Sequence, residues 1–298
     1  MKKKATHVIA LLALLSLGAG AAAACPLVYT INFSGQFGLI DLATGVFSPV
    51  GKGLENTPSG LAGKASGPFY TVDGVTGHLL RIGNDGSVTD VGDTQTGPAL
   101  GPSGISLIGS TTNGTLYALD FSNRLYRINE KTGALTLLGF LPTLPVQIPQ
   151  YDGLMTTSLS GTADKLYFTI EISDGPEKVG PNLYTIDLFN LAVTVNSLDE
   201  FPGRVIGSGF ANGEYYLFGE GGEIYRLDLS TRKFETVASY DSGQVDGGPP
   251  FTGIFGIIPA IEPNGLPGKA SEPVKTQSKS RRSAWPLRSS ALPPRVCW

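Results

Sequence analysis

GTLYALDFSNRLYRINEKTGALTLLG, residues 114–139, is the stretch that decides the fold. Thr115 to Asp120 (TLYALD) is apolar, β-prone and partly alternating, as a half-buried strand requires. Phe121-Ser122-Asn123 is a short turn. Arg124 to Asn129 (RLYRIN) alternates long apolar and polar side chains and reads as a second strand. Glu130 to Gly133 (EKTG) closes a hairpin, with Gly133 free to take a positive φ. Ala134 to Leu138 (ALTLL) is a third strand, ended by Gly139.

Four other segments repeat this plan: Leu27–Gly51, Pro68–Gly92, Lys165–Leu198 and Glu214–Ala238. Their central aromatics, Tyr29, Tyr70, Tyr117, Tyr167 and Tyr216, recur every 41 to 50 residues. All-strand repeats at that period point to the blades of a β-propeller. A fourth strand precedes most copies and is marked by a polar residue, Gly, then an apolar residue. It occurs at Ser59-Gly60-Leu61, Ser103-Gly104-Ile105, Asp152-Gly153-Leu154, Ser208-Gly209-Phe210 and Thr252-Gly253-Ile254. Innermost strands crowd the axis of a propeller, and Gly removes the Cβ that would meet the neighbouring blade.

The two kinds of element are out of phase. The first three-strand unit, at residue 27, has no inner strand before it, and the last inner strand, residues 251–257, has no unit after it. Pairing them predicts an all-β fold: a five-bladed propeller closed by the C-terminal inner strand, with six blades as the second choice. Closure removes open sheet edges. An open sandwich or barrel does not predict opposite orphans at the two ends.

The units LYxIDxxTGxxTxxG, clearest at 125–139 and 38–51, resemble the repeats of secreted bacterial β-propellers of uncharacterised function. The resemblance covers about 27–258 and implies the fold, not an activity. The same strand grammar is similar to lactonase-like and quinoprotein-like propellers. Their metal and cofactor residues have no counterpart here, so no cofactor and no metal site are expected.

Residues 1–24 read as a secretory signal peptide: Lys2, Lys3 and Lys4, an apolar stretch from Val8 to Leu17, then small residues with Ala-x-Ala cleavage sites. The apolar stretch is too short for a good transmembrane helix, and no transmembrane segment is expected. The chain is therefore expected to be exported, to the periplasm or the outside. Lipid anchoring through Cys25 is the alternative, although Ala22 stands where the usual bacterial signal has Leu. Residues 25–260 form the propeller domain. They carry 12 Lys plus Arg against 23 Asp plus Glu, net −11, which disfavours nucleic acid as a partner. Residues 261–298 hold six Pro and seven basic against two acidic residues, and read as a disordered basic tail. Nothing in the sequence specifies an oligomeric state.

Chemical motifs are sparse. His78 is the single histidine after the leader, which excludes multi-histidine metal sites and leaves any Ser-His-Asp set dependent on one turn residue. No GxSxG, zinc-type cysteine spacing or phosphate-cradling loop occurs. Asp41, Asp120, Asp187 and Asp228 recur in repeat turns and read as structural. Function is expected in loops on the rigid scaffold, at the channel mouth where the chain enters the inner strands. Ser59, Ser103, Asp152, Ser208 and Thr252 start those strands and could form a polar ring there, or merely satisfy loop backbone. The insertion Glu171–Asn182 is the clearest departure from the repeat. Tyr151, Asp152, Glu171, Glu220 and Asp246 are the candidate ligand-binding residues, and no catalytic residue is assigned. The expectation is an exported, non-enzymatic protein binding a glycan, peptide or partner protein. The alternative is a polysaccharide-active hydrolase or lyase using mouth carboxylates.

Overall fold

The computed structural model describes residues 27–94, 104–141, 154–156, 159–172, 179–198, 201–211, 213–240 and 254–260. Residues 1–26, which include the expected signal peptide and Cys25, and residues 261–298 lie outside the described residues. Every described element is a strand. The N-terminal segment gives β1 (Leu27–Asn32), β2 (Phe37–Asp41) and β3 (Phe47–Pro49). The second set is β4 (Ala62–Gly63), β5 (Phe69–Val72), β6 (His78–Ile82) and β7 (Val88–Asp93). The third is β8 (Ile105–Thr111), β9 (Leu116–Asp120), β10 (Arg124–Ile128) and β11 (Leu135–Phe140). The fourth is β12 (Leu154–Thr156), β13 (Leu159–Gly161), β14 (Lys165–Ile172), β15 (Val179–Asp187) and β16 (Val193–Ser197). The fifth is β17 (Val205–Ala211), β18 (Glu214–Gly219), β19 (Glu223–Leu227) and β20 (Phe234–Ser239), and β21 (Ile254–Pro259) ends the series.

Residues 114–139 fold as their pattern dictates. Leu116–Asp120, Arg124–Ile128 and Leu135–Phe140 are antiparallel neighbours, and Gly133 sits at φ 76° in the hairpin turn. The orphan strand also finds its partner. β21 pairs antiparallel with β1, with Tyr29 opposite Ile258 and Thr30 opposite Ile257. The Thr30 hydroxyl donates to the Gly256 carbonyl at 3.0 Å. The first set is thus β21-β1-β2-β3. The architecture is all-β and propeller-like: antiparallel sets whose first strands face inward.

Inner strands of successive sets touch edge to edge. β13 runs parallel to β8, with Leu159 opposite Gly109, and this joins the third and fourth sets into one nine-stranded sheet. Gly60 bridges Ile108 in the same parallel sense. Glycine permits this approach. A Cβ on Gly109 would lie 2.5 Å from Leu159 Cβ and nearer still to its carbonyl, and one on Gly209 would lie 2.6 Å from Ile257 Cγ1.

The buried clusters lie between sets, and the recurrent tyrosines explain how. A strand buried on both faces sends alternate side chains to opposite neighbours. Tyr29 of the first set packs with Phe69 and Ile82 of the second. Tyr70 packs toward Ile105 and Ile108 of the third, and Tyr117 toward Leu166 and Phe168 of the fourth. Tyr167 meets Phe210 and Tyr215 of the fifth, with ring centroids 5.1 and 5.9 Å away. Tyr216 packs with Val28 and Ile257 of the first. Each copy of the repeat therefore uses its tyrosine against the next set.

The fourth set departs from the plan. The expected loop insertion Glu171–Asn182 is partly strand: β14 runs on to Ile172 and β15 begins at Val179, opposite it. The β-prone run KLYFTIEI lengthens the hairpin, and Leu154–Thr156 pairs with its extension. Residues 173–178 lie outside the described residues.

Candidate functional site

Two ends of the inner strands offer surfaces. At the front face the chain enters each inner strand and turns from the second strand to the third. At the back face the inner strands end. Three equivalent residues close second strands at the front: Asn32, Asp73 and Asp120, all buried. Each accepts main-chain N–H groups of the turn that follows. Asn32 Oδ1 accepts from Gln36 at 2.7 Å, Asp73 Oδ1 from Val75 and Thr76 at 2.8 and 2.9 Å, and Asp120 Oδ1 from Ser122 and Arg124 at 2.9 and 2.8 Å. These are side-chain-closed turns of the kind Asn and Asp favour.

The second carboxylate oxygens are also occupied. Asp73 Oδ2 accepts from Asn56 Nδ2 at 2.9 Å. Burial opposes ionisation of Asp73, but the Asn56, Thr76 and Val75 hydrogen bonds outweigh it and hold the carboxyl below the usual range. Asp120 Oδ2 accepts from Arg124 Nε at 2.5 Å and the Tyr126 hydroxyl at 3.1 Å. Burial first, then the Asp120 charge, pushes the Tyr126 phenol up to about 12. Asp120 thus belongs with Asn32 and Asp73, not with Asp41, Asp187 and Asp228. Those three cap the turns from third to fourth strand at the back, accepting from Ala43, Phe189 and Ser230 N–H groups at 2.8 to 2.9 Å.

Of the five candidate residues, Tyr151, Asp152 and Asp246 lie outside the described residues. Glu171 is in β14, its main chain opposite Met155. Glu220 stands exposed in the turn after β18. Its N–H donates to the Arg204 carbonyl at 3.0 Å, and its carboxylate lies 3.6 Å from the Arg204 guanidinium, tying the turn to the approach to β17. Of the expected polar ring at the strand starts, Ser103, Asp152 and Thr252 lie outside the described residues, and Ser208 departs from it. It is fully buried in mid-strand and accepts from the Tyr215 hydroxyl at 2.8 Å, because β17 begins three residues earlier at Val205. Ser59 serves backbone pairing, donating its N–H to Val72 and accepting from Ile108 N–H, both at 2.9 Å. His78 Nδ1 lies 2.7 Å from Asp90 Oδ2, half exposed, and that hydrogen bond raises the imidazole pKa. Among the described residues no three His, Cys, Asp or Glu side chains gather as a metal site would require.

The back face holds what the sequence reading missed. A cavity of about 340 Å³ opens where the inner strands end, walled by residues of all five sets, from Leu61 and Ser110 through Leu159 and Phe210 to Ile257. The signal is present in the chain: inner strands run into small polar residues, as in AGKAS (62–66), GSTTNG (109–114) and SGTAD (160–164). Read singly, each looks like an ordinary turn.

No protein-family model and no curated protein matches the sequence. Among solved structures, the chain is similar to a catalytically inactive variant of virginiamycin B lyase from Staphylococcus aureus with quinupristin. Identity is 18%, coverage 70% of this chain and 69% of that one, and TM-score 0.41. A streptogramin B lyase structure shows 15% identity over 69% of this chain and 62% of that one, TM-score 0.40. Selenomethionine-substituted virginiamycin B lyase from Staphylococcus aureus shows 17% identity over 70% and 69%, TM-score 0.40.

Proposed function

We propose that the chain is an exported, non-enzymatic binding protein, built as a closed five-bladed propeller, that engages a glycan, peptide or partner protein through its front-face loops. The circular succession of buried clusters, ending with Tyr216 against Val28, supports closure with five blades. The basic, apolar and small-residue succession of residues 1–24 supports export. Tyr151, Asp152, Glu171, Glu220 and Asp246 supply the contacts in this reading.

The observation that favours binding over carboxylate chemistry is the occupancy of the two buried front-face acids, Asp73 and Asp120. A general acid or base needs an oxygen within reach of substrate. Both oxygens of Asp73 and of Asp120 hold their own turns and neighbours instead. They stiffen the frame from which the loops project.

The test is a glycan-array and peptide-library screen of the full-length protein, followed by titration of Glu220→Ala and Asp152→Asn. Binding that weakens by tenfold or more in these variants, without turnover in the parent, is the expected result. A polysaccharide whose cleavage is abolished by Asp152→Asn while binding persists replaces this reading with the hydrolase or lyase alternative.

A further inference from the structure

The geometry points to a second binding site: the back-face cavity takes a small, neutral, largely apolar molecule that carries one hydroxyl or amide N–H donor. Its volume, about 340 Å³, falls at the small end of the range for ligand pockets. The walls set the chemistry. Leu61, Leu159, Phe210 and Ile257 present apolar surface. No acidic, basic or histidine side chain is among the described residues that line it. An ion buried against these apolar walls would have its charge desolvated, which costs far more than burying a neutral group.

The polar edge of the cavity is biased in one direction. A Ser or Thr hydroxyl has one proton and two lone pairs. At three of the five hydroxyls in the lining, those of Ser110, Thr111 and Thr162, the protons are already committed. Ser110 Oγ donates to the Gly63 carbonyl at 2.8 Å, while accepting the Gly63 N–H at 2.9 Å. Thr111 Oγ1 donates to Asn113 Oδ1 and Thr162 Oγ1 to Asp164 Oδ1, both at 2.7 Å. What remains at these three hydroxyls is acceptor capacity, while the buried Ser160 Oγ has no hydrogen-bond partner among the described residues, so a guest hydroxyl or N–H that donates to the three is favoured over one that only accepts. This site is at the opposite end of the inner strands from the proposed front-face loops, and it stands on separate residues.

The experiment is fluorescence titration of the full-length protein with N-phenyl-1-naphthylamine, an uncharged reporter. Competition follows with 1-octanol, octyl methyl ether, octanoate and octylammonium. Saturable 1:1 reporter binding is expected. 1-Octanol should compete at least tenfold more tightly than either ion, and more tightly than the ether. Ala65→Phe, which fills the cavity from a rim loop, should weaken reporter binding at least tenfold, whereas Phe189→Ser, which removes a ring exposed elsewhere, should leave it unchanged. If circular dichroism shows Ala65→Phe misfolded, Thr112→Trp at the rim gives the same reading. Absence of saturable binding, equal competition by the ions or the ether, or retention of binding in the folded rim variant overturns the inference. Because the glycan and peptide screen probes the other face, either result can fail alone.

Discussion

Replacing Gly109 with Ala should cost more than any other single methyl group in the inner strands described here. The added Cβ would meet the Leu159 carbonyl and lie 2.5 Å from Leu159 Cβ, on a strand paired in parallel with its own. Backbone cannot rotate away as a side chain can, so β8 and β13 must separate. Overpacking of this kind costs about 1–3 kcal/mol. A lost or stretched bond in the adjoining main-chain contacts, such as Thr112 N–H to the Gly161 carbonyl at 3.0 Å, adds about 1 kcal/mol. Against this, Ala restricts the unfolded chain and returns about 0.4–1 kcal/mol. The net loss is about 2 kcal/mol. For a domain of this size that lowers Tm by about 4–8 °C. Gly203→Ala is the matched control, since a Cβ there meets nothing within 4 Å and the residue has no positive φ. It should leave Tm unchanged or raise it by about 1–3 °C. Differential scanning calorimetry of the two variants beside the parent decides the matter. A folded Gly109→Ala protein melting within 1 °C of the parent, on the scale set by ~2 kcal/mol, would refute direct abutment of the inner strands.

Asp120→Asn keeps an acceptor for the turn but removes the charge facing Arg124 and Tyr126. It should destabilise by about 2 kcal/mol, the lower part of the range for a charged hydrogen bond because Arg124 is partly solvated. It should also lower the Tyr126 phenol from about 12, with burial keeping it above the ordinary tyrosine value, as followed by NMR of labelled tyrosine. The His78 pKa lies above its unfolded value, so the His78–Asp90 pair contributes stability below the unfolded pKa and loses it as pH rises through the folded one. Asp90→Asn should bring the imidazole back toward 6.5 in an NMR titration, and an unchanged midpoint would remove Asp90 as the cause. Truncation before Ile254 uncovers the β1 edge and the partners of Ile257 and Ile258, each worth about 1.5–3 kcal/mol when fully buried. The truncated chain should fail to melt cooperatively and should associate on size-exclusion chromatography. A monomer with the parent's melting curve counts against the pairing of β21 with β1.

The fold was legible because its repeat is made by residues that do the same job each time. Tyr29, Tyr70, Tyr117, Tyr167 and Tyr216 recur in the sequence since each packs on the following set, so periodicity and packing carry one message. The orphan elements at residues 27 and 254 were equally readable, because strand pairing is symmetric about whichever chain end supplies it. Register inside a strand was not. Ser208 and Ser59 share a tripeptide signature, yet one is buried in mid-strand and the other borders a loop, a distinction set by where hydrogen bonding begins. Asp120 and Asp41 look alike in sequence because both precede turns. Only the three-dimensional alternation of turns between front and back separates them. The back cavity escaped notice for a related reason: its lining comes from five places far apart in the chain, none distinctive alone.

The contact between Thr30 and Gly256 spans 226 residues. At ordinary translation rates the first hairpins therefore leave the ribosome roughly 10–45 s before the strand that completes them exists. Through that interval Val28 and Ile31 have no permanent shelter, and the edge of β1 is open to any extended polypeptide nearby. The protein can reach its native form only after synthesis of this domain is nearly over. A premature stop, a stalled ribosome or a protease acting near residue 254 would thus yield a sticky fragment rather than a smaller working molecule.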